Sequence, residues 1–197
     1  FHEKMFGERL VRAFEEVKQV FDPKKLLNPG KIVDAPKMDD RRLLRYAEDY
    51  RFDDILTGFD WSAWPGASGG FQGAIEMCNN NGACRKLAGG VMCPSYRATR
   101  NERDSTRGRA NTLRLAMSGK LGAGALLSDD MAETMKLCVG CKACQRECPT
   151  GVDMARMKTE VLHQRGKKFG YPLKDRLIAE MPRYARAAVA LRPLFAL

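Results

Sequence analysis

The chain has 197 residues, enough for one ordinary domain or two small ones, and its 44% of hydrophobic residues suffice for a core. It contains no apolar stretch long enough to cross a bilayer and opens on no basic-then-apolar leader, which argues against a transmembrane helix and export. The positive excess behind the net charge of +10 falls on residues 78–197 without a groove-reading motif or interleaved aromatic residues, so nucleic-acid binding is not expected.

The first predicted element is an amphipathic helix over about residues 3–21. Its apolar residues recur at helical spacing, at Phe6, Leu10, Phe14, Val17 and Phe21. Asp22 and Pro23 end the helix, because the residue before a proline disfavours helical geometry. The sequence Asn28-Pro29-Gly30 then predicts a turn.

A connector is predicted to follow, over residues 36–72. Asp39 and Asp40 are placed to cap a short helix that carries Leu43, Leu44 and Tyr46. Residues 51–73 are rich in aromatic residues and glycine, which indicates a loop packed over the surface. We expect short strands near Phe59 and Ile75.

The first group of cysteines comprises Cys78, Cys84 and Cys93, in the run C-N-N-N-G-A-C-R-K-L-A-G-G-V-M-C-P. Beyond it, Ser105 or Thr106 is predicted to cap a helix that runs to about Ser118. The buried face of that helix is predicted to carry Ala110, Leu113 and Met117.

The second group lies in residues 138–149, which read C-V-G-C-K-A-C-Q-R-E-C-P. A helix that starts at Ser128 and buries Met131 and Met135 is predicted to lead into it. The spacing C-x-x-C-x-x-C-x-x-x-C-P is the bacterial ferredoxin run for a [4Fe-4S] cluster. Two-residue gaps allow successive thiolates to face one small inorganic core, and the fourth cysteine of such a run ligates a second cluster.

Superposing the two groups on their first cysteines uses all seven cysteines of the chain. The first predicted cluster takes Cys138, Cys141, Cys144 and, by exchange, Cys93. The second takes Cys78, Cys84 and Cys148, and Asn81 stands where its fourth thiolate would be. The second cluster is therefore expected to be a [4Fe-4S] cluster with an open position or a [3Fe-4S] cluster.

Other interpretations of these residues stay open. A structural zinc site usually draws its cysteines from two separate pairs, and a disulfide pattern suits a short secreted chain. His163 is a candidate for the missing ligand or a residue of a helix surface. Arg107 and Arg109 are candidates for donors beside an anionic cluster, or for ordinary surface arginines.

The last predicted elements are helical. Asp153 is expected to cap a helix that buries Met154, Met157, Val161 and Leu162. From Gly166 onward, two basic helices are predicted, with a break near Pro182. Clustered cysteines in a chain without a leader indicate a reducing compartment, so a cytoplasmic location is expected.

Two stretches carry a resemblance to known proteins. The run F-D-P-K-K-L-L-N-P-G-K, residues 21–31, resembles the end of the cap domain of FAD-linked oxidases of the D-lactate dehydrogenase and glycolate oxidase type. The cysteine region, with M-C-P-S-Y and S-T-R-G-R-A, is similar to the iron–sulfur part of bacterial proteins that fuse a D-2-hydroxyacid dehydrogenase (D-lactate or 2-hydroxyglutarate) to such a module. The flanking helices resemble the helical ferredoxin fold.

The resemblance implies a mainly α protein. Residues 1–35 are the end of an FAD-linked oxidase domain, 36–72 the connector, 73–166 a helical ferredoxin-like domain with two iron–sulfur clusters, and 167–197 a basic helical extension. FAD belongs to the parent protein and is not bound by this chain, so the chain alone is not expected to be catalytic.

The implied function is electron transfer from a flavin that oxidises a D-2-hydroxyacid to a downstream acceptor, either a quinone or a redox protein. The implied partners are the upstream flavoprotein domain and that acceptor, and peripheral contact with a membrane stays open. Alternatives are a cluster whose open iron binds substrate or water, and a zinc or iron–sulfur docking module.

Overall fold

The computed structural model describes residues 2–40, 42, 44, 46, 49–64 and 68–190. It divides into two compact units, Phe1–Tyr50 and Arg51–Leu197. Within the described residues the regular structure is entirely helical, with eight α-helices and no strands, which confirms the mainly α prediction. The three boundaries between the four predicted segments stay predictions.

The first unit contains helix α1, His2–Phe21, which is bent at Gly7, where φ is +75°. Asp22 ends the helix as predicted, because its carboxylate accepts the backbone N–H groups of Leu26 (2.8 Å) and Leu27 (2.9 Å). Within this unit α1 buries none of its residues, and its apolar stripe is exposed. The helix predicted after Asp40 falls largely outside the described residues, Leu43 included; within them Arg42 has 3₁₀ geometry, and Leu44 and Tyr46 lie in bends.

The second unit holds the other seven α-helices. They are α2 (Gly70–Glu76), α3 (Pro94–Thr99), α4 (Thr106–Met117), α5 (Asp129–Lys136), α6 (Ala143–Glu147), α7 (Met154–Phe169) and α8 (Leu173–Ala190). One core joins α2 to α7, and its fully buried apolar side chains are Ala74, Ile75, Ala110, Leu113, Met131, Met135, Val152, Met154, Met157 and Val161. Six of the seven cysteines lie in the segments between these helices, and Cys144 lies inside α6.

Capping side chains fix where the long helices begin, as the sequence predicts. Ser105, Ser128 and Asp153 accept backbone N–H groups in the first turns of α4, α5 and α7. The predicted buried faces are confirmed except at Leu162, which is 46% exposed. Leu162 lies beside an open cleft described below, where the packing of neighbouring elements ends.

The prediction of strands near Phe59 and Ile75 is wrong. Ile75 lies inside α2, and Phe59 lies in an irregular segment. The backbone N–H groups of Gly58 (2.9 Å) and Phe59 (3.1 Å) donate to the carboxylate of Glu160 on α7. A side chain therefore satisfies the donors that a neighbouring strand would otherwise take.

The C-terminal extension differs from the prediction as well. Gly170 ends α7 with φ of +85°, and α8 then runs through Pro182 without a break. Every side chain from Tyr171 to Tyr184 is exposed. Residues 191–197, the end of the predicted extension, lie outside the described residues. None of the described helices has both the length and the apolar character that a membrane span requires.

Candidate metal centre

Four of the predicted ligands line one small cavity. Cys138, Cys141 and Cys144 approach it from the loop before α6 and from α6 itself, and Cys93 approaches it from the start of α3. Cys93 (φ +52°) and Lys142 (φ +57°) adopt left-handed backbone conformations that are uncommon for such residues. The structure thus brings the compact cysteine run together with the one distant cysteine that the crossed arrangement requires.

The N-terminus of α4 lies against two cysteines of the first group. The N–H of Thr106 donates to Cys93 Sγ (3.1 Å), and the N–H of Arg107 donates to Cys84 Sγ (3.4 Å). First-turn N–H groups have no partner within their own helix and therefore stabilise negative charge. A hydrogen bond from Cys93, aided by the N–H of Arg107, lowers the pKa of Cys84 to about 6 despite burial.

The same hydrogen bond raises the pKa of Cys93, and burial adds to the effect. Cys84 is therefore the more acidic thiol of the pair. Cys93 touches Cys84 on one side and lines the cavity of Cys138, Cys141 and Cys144 on the other. It lies where the two expected clusters would meet.

The N-terminus of α7 repeats this arrangement for the second group. Burial raises the pKa of Cys144, while the N–H groups of Met154 and Ala155 donate to its sulfur and oppose that effect. A thiolate at Cys144 is thus buried but supplied with backbone donors. This donor set, sulfur atoms around a cavity with helix N-termini behind them, fits an anionic iron–sulfur core.

The remaining cysteine of the first group, Cys78, also has a polar contact. Cys78 Sγ lies 3.8 Å from Asn80 Oδ1, and Asn80 in turn accepts from Asn111 Nδ2 (2.8 Å). Glu102 raises the pKa of Arg107 most, and negative charge at Cys84 and Cys78 adds to this. The guanidinium also donates to the carbonyl oxygen of Asn80 (3.4 Å), in the segment between these two cysteines.

Asn81 lies in the exposed part of this segment. Its Oδ1 accepts the N–H of Ala83 (2.8 Å), and its Nδ2 donates to Asn79 (2.6 Å). The side chain therefore closes a turn between Cys78 and Cys84. Its carbonyl oxygen is committed to the backbone in this conformation.

Glu147 links the ends of the two cysteine groups. Its carboxylate accepts the N–H groups of Val91 (2.8 Å) and Met92 (3.0 Å), directly before Cys93. Cys148 follows Glu147, and its sulfur lies 3.3 Å from Thr150 Oγ1. Nothing in the cysteine spacing predicts this contact. In the sequence, the only local indication is that the Glu147 carboxylate directly precedes Cys148, a predicted thiolate ligand.

Arg109 does more for the fold than a surface arginine would. Its guanidinium is fully buried and donates to the carbonyl oxygens of Thr134 (2.9 Å) and Asp104 (2.7 Å). It also lies 3.6 Å from the Asp104 carboxylate and lines the cavity of the four cysteines. The surface interpretation of Arg109 is therefore wrong, and its role as a donor to a cluster stays a prediction.

A site for a single metal ion is not preformed. Among the described residues, no three His, Cys, Asp or Glu side chains converge closely enough to hold one ion. Thiolates around one zinc ion lie about 4 Å apart, whereas a core of several irons separates them more widely. His163 Nδ1 lies 3.0 Å from the hydroxyl of Tyr171 on the surface of α7.

Comparisons with known proteins define the class of this region. Residues 74–152 match the family described as the 4Fe-4S dicluster domain, and residues 1–32 match the C-terminal domain of FAD linked oxidases. The chain therefore joins the end of an FAD-linked oxidase domain to a 4Fe-4S dicluster domain. Both resemblances drawn from the sequence are confirmed.

Particular relatives are similar over most of the chain. The D-2-hydroxyglutarate dehydrogenase of Escherichia coli is 30% identical over 91% of the chain, and that of Pseudomonas putida is 28% identical over 89%. The probable glycolate oxidase iron-sulfur subunit of Bacillus subtilis is 28% identical over 49%. The chain spans about a fifth of the length of each of these relatives. No solved structure matches it significantly.

Proposed function

We propose that this chain carries electrons through two iron–sulfur clusters, away from a flavin that oxidises a D-2-hydroxyacid. The observation that carries the proposal is the convergence of Cys93 with Cys138, Cys141 and Cys144 on one cavity inside a 4Fe-4S dicluster domain. Iron–sulfur clusters supply reversible one-electron oxidation and reduction when bound.

The protein residues have distinct parts in this proposal. Cys93, Cys138, Cys141 and Cys144 hold one cluster, and Cys78, Cys84 and Cys148 hold the other. The first-turn N–H groups of α4 and α7 stabilise the negative charge on the thiolates, and the hydrophobic core excludes water around the buried ones. Arg107 lies beside the second set and favours its reduced, more negative state.

The substrate class in this proposal is inferred from the names of the similar proteins. Two of them are D-2-hydroxyglutarate dehydrogenases, and the end of an FAD-linked oxidase domain precedes the cysteines here. In the parent protein, a D-2-hydroxyacid such as 2-hydroxyglutarate reduces the flavin in the upstream domain. This chain then conducts the electrons to an acceptor in the cytoplasm or at a membrane surface.

The test is the iron and acid-labile sulfide content of anaerobically purified chain, together with its visible spectrum and electron paramagnetic resonance. We expect both elements, broad visible absorbance that dithionite bleaches, and no hydroxyacid oxidation without added flavoprotein. Zinc without sulfide, or dehydrogenase activity of the chain alone, contradicts the proposal.

A second candidate function is chemistry at an iron that lacks a protein thiolate. It is favoured by Asn81, which the cysteine alignment assigns to the missing ligand position and whose side chain already donates and accepts within its own turn. A three-iron signal in the oxidised chain excludes this candidate, because the open iron is then missing. A four-iron cluster whose spectrum changes on adding a hydroxyacid supports it.

A further inference from the structure

An open cleft lies beside the loop that carries Cys138. It measures about 600 Å³ and is bounded by that loop, by one face of α7 and by Phe59 of the connector. Val139 (71%), Leu162 (46%) and Phe59 are exposed apolar side chains around it. The cleft therefore combines a cysteine of the proposed cluster with accessible apolar surface.

The charged residues that line the cleft are all basic. Lys142, Arg156 and Lys158 line it, and among the described residues that line it none is acidic. Lys158 Nζ donates to the carbonyl oxygen of Cys138 (2.6 Å), so an ammonium group lies directly on the loop that holds this sulfur. The nearest carboxylate partner of Lys142 is Asp153, at 3.7 Å, and it is buried.

Arg156 is fixed at the edge of the cleft by aromatic rings. Its guanidinium carbon lies 5.1 Å from the ring centre of Phe59 and 4.9 Å from those of Trp61 and Trp64. It also donates to the carbonyl oxygen of Asp60 (2.5 Å). Stacking keeps the cation in place while its charge still faces the cleft.

We propose that this cleft is the site where electrons leave the chain, and that its occupant is a small redox protein with a carboxylate-rich face around its own centre. The inference rests on the proposed electron-transfer function. One electron passes from the reduced chain to the oxidised carrier, and no bond forms or breaks and no proton moves. Complementary charge brings the two centres together quickly, and the apolar patch supplies a small, short-lived contact.

A neutral quinone fits the cleft less well. Small-molecule sites enclose most of the ligand surface within mainly apolar walls. This cleft is open to solvent, and three cations lie among its lining residues. The positive charge and the exposed position instead suit a large anionic partner that docks and departs.

The first experiment uses small oxidants of different charge on dithionite-reduced chain in a stopped-flow instrument at low salt. The probes are tris(oxalato)cobaltate(III), a triply negative one-electron oxidant, hexaammineruthenium(III), a triply positive one, and neutral menadione. In the double variant Lys142→Gln/Lys158→Gln, we expect the cobalt complex to react about tenfold more slowly, since steering raises such rates by roughly 10- to 1,000-fold. The ruthenium complex is expected to react faster.

Matched variants separate the cleft from the general charge of the protein. Lys167→Gln/Lys168→Gln removes the same charge from α7, about 13 Å further along the helix. Leu162→Glu adds a negative charge at the cleft without touching the cysteine loop, and Leu173→Glu adds one on the exposed face of α8. We expect only the cleft variants to slow the cobalt complex, and the effect to shrink above about 0.1 M salt.

A second measurement does not depend on electron transfer. The chain has two tryptophans, Trp61 and Trp64, and both stack on Arg156. Quenching of their fluorescence by iodide is expected to weaken in Leu162→Glu, and quenching by caesium to strengthen. Equal quenching in wild type and variant overturns the charge assigned to the cleft.

The outcomes distinguish this inference from the proposed function. A chain that bleaches with dithionite but shows the same oxidation rates in cleft and control variants overturns the exit site alone. Slowing of menadione in place of the cobalt complex overturns the acidic carrier as occupant in favour of a quinone. A chain without bleachable absorbance overturns the proposed function itself.

Discussion

The two cysteine groups hold their sulfurs by different means. Cys78, Cys84 and Cys93 are at most 7% exposed, and their positions depend on packing against α4 and on side chains such as Asn80 and Arg107. In the second group Cys141 is exposed, and its loop is shaped by two-residue spacing. The first group is thus enclosed by the tertiary fold, whereas the second, although α7 supports Cys144, presents Cys141 to solvent.

This difference has a functional side. A buried cluster is protected from water, and an exposed one is accessible to a partner. The exposed loop adjoins the cationic cleft, while the buried group lies deeper, against α4. Under the proposed electron-transfer function, this comparison predicts that electrons move from the first group toward the second.

The largest expected effect is the loss of one cluster. Cys138→Ser should remove the cluster of the second group, and Cys84→Ser that of the first, so each variant keeps about half of the iron and sulfide. Iron and sulfide analysis of anaerobic samples measures this, with wild type prepared in parallel. Complete loss of iron from either variant would show that the two groups do not assemble independently.

Arg109 tests how far the fold around the cavity of the four cysteines depends on buried packing. In Arg109→Met, the Asp104 carboxylate keeps its buried position without its ion-pair partner, so we expect unfolding to require about 3–5 kcal/mol less. Urea unfolding followed by tryptophan fluorescence measures it. The matched control is Arg103→Met on the exposed side of the same segment, expected within about 0.5 kcal/mol of wild type. Equal stability of both variants would contradict the structural role of Arg109.

Glu160 tests the support behind the second group. Glu160→Ala leaves the N–H groups of Gly58 and Phe59 and Trp61 Nε1 without their acceptor, so a loss of about 2–4 kcal/mol is expected. Glu160→Gln keeps one carbonyl oxygen as an acceptor and should lose less. Urea unfolding at neutral pH ranks the two variants. If Glu160→Gln were less stable to urea than Glu160→Ala, hydrogen bonding would not be the cause.

The same carboxylate predicts a pH dependence. Burial raises the pKa of Glu160, but the hydrogen bonds from Gly58, Gln164, Phe59 and Trp61 outweigh burial and lower it below its usual 4.5. A lowered folded pKa stabilises the protein above the unfolded value, and this contribution disappears as pH falls through the folded value. The stability difference between wild type and Glu160→Gln should therefore narrow below about pH 4.5. If this stability difference widened as the pH fell, the pKa of Glu160 would be raised in the folded protein and not lowered.

The variant with the smallest expected effect on stability is predicted to change the electron paramagnetic resonance spectrum most specifically. Asn81→Cys offers a fourth thiolate to the first group at an exposed position, and surface substitutions usually change stability by less than about 0.5 kcal/mol. We expect a three-iron signal, where wild type shows one, to be replaced by that of a four-iron cluster. The control is Asn79→Cys, which lies outside the ligand register. Identical spectra for both variants would remove Asn81 from the ligand position.

Local signals in the sequence predicted most of the helices. Ser105, Ser128 and Asp153 precede apolar residues at helical spacing, and each caps a helix where expected. The match between Cys93-Pro94 and Cys148-Pro149 also predicted that Cys93 approaches the second group. Short-range capping and regular cysteine spacing leave clear marks in a sequence.

Long-range polar contacts leave no such mark. Glu147 binds the backbone 55 and 56 positions earlier, and Glu160 binds it 102 positions earlier. The strand predicted near Phe59 is wrong because Glu160, a residue about a hundred positions away, accepts the N–H groups of Gly58 and Phe59. A proline lacks the N–H that a helix interior uses, which predicts a break near Pro182, but α8 runs through this residue.

The contact between Glu160 and the connector has a consequence for how the molecule matures. Closing a loop of about a hundred residues carries a large entropic cost, so such contacts form after local helices. We therefore expect the segment around Phe59 to pack against α7 last. Until then the Cys138 loop lacks that wall of its surroundings and remains open to incoming iron and sulfide, which gives cofactor insertion an interval before the fold closes.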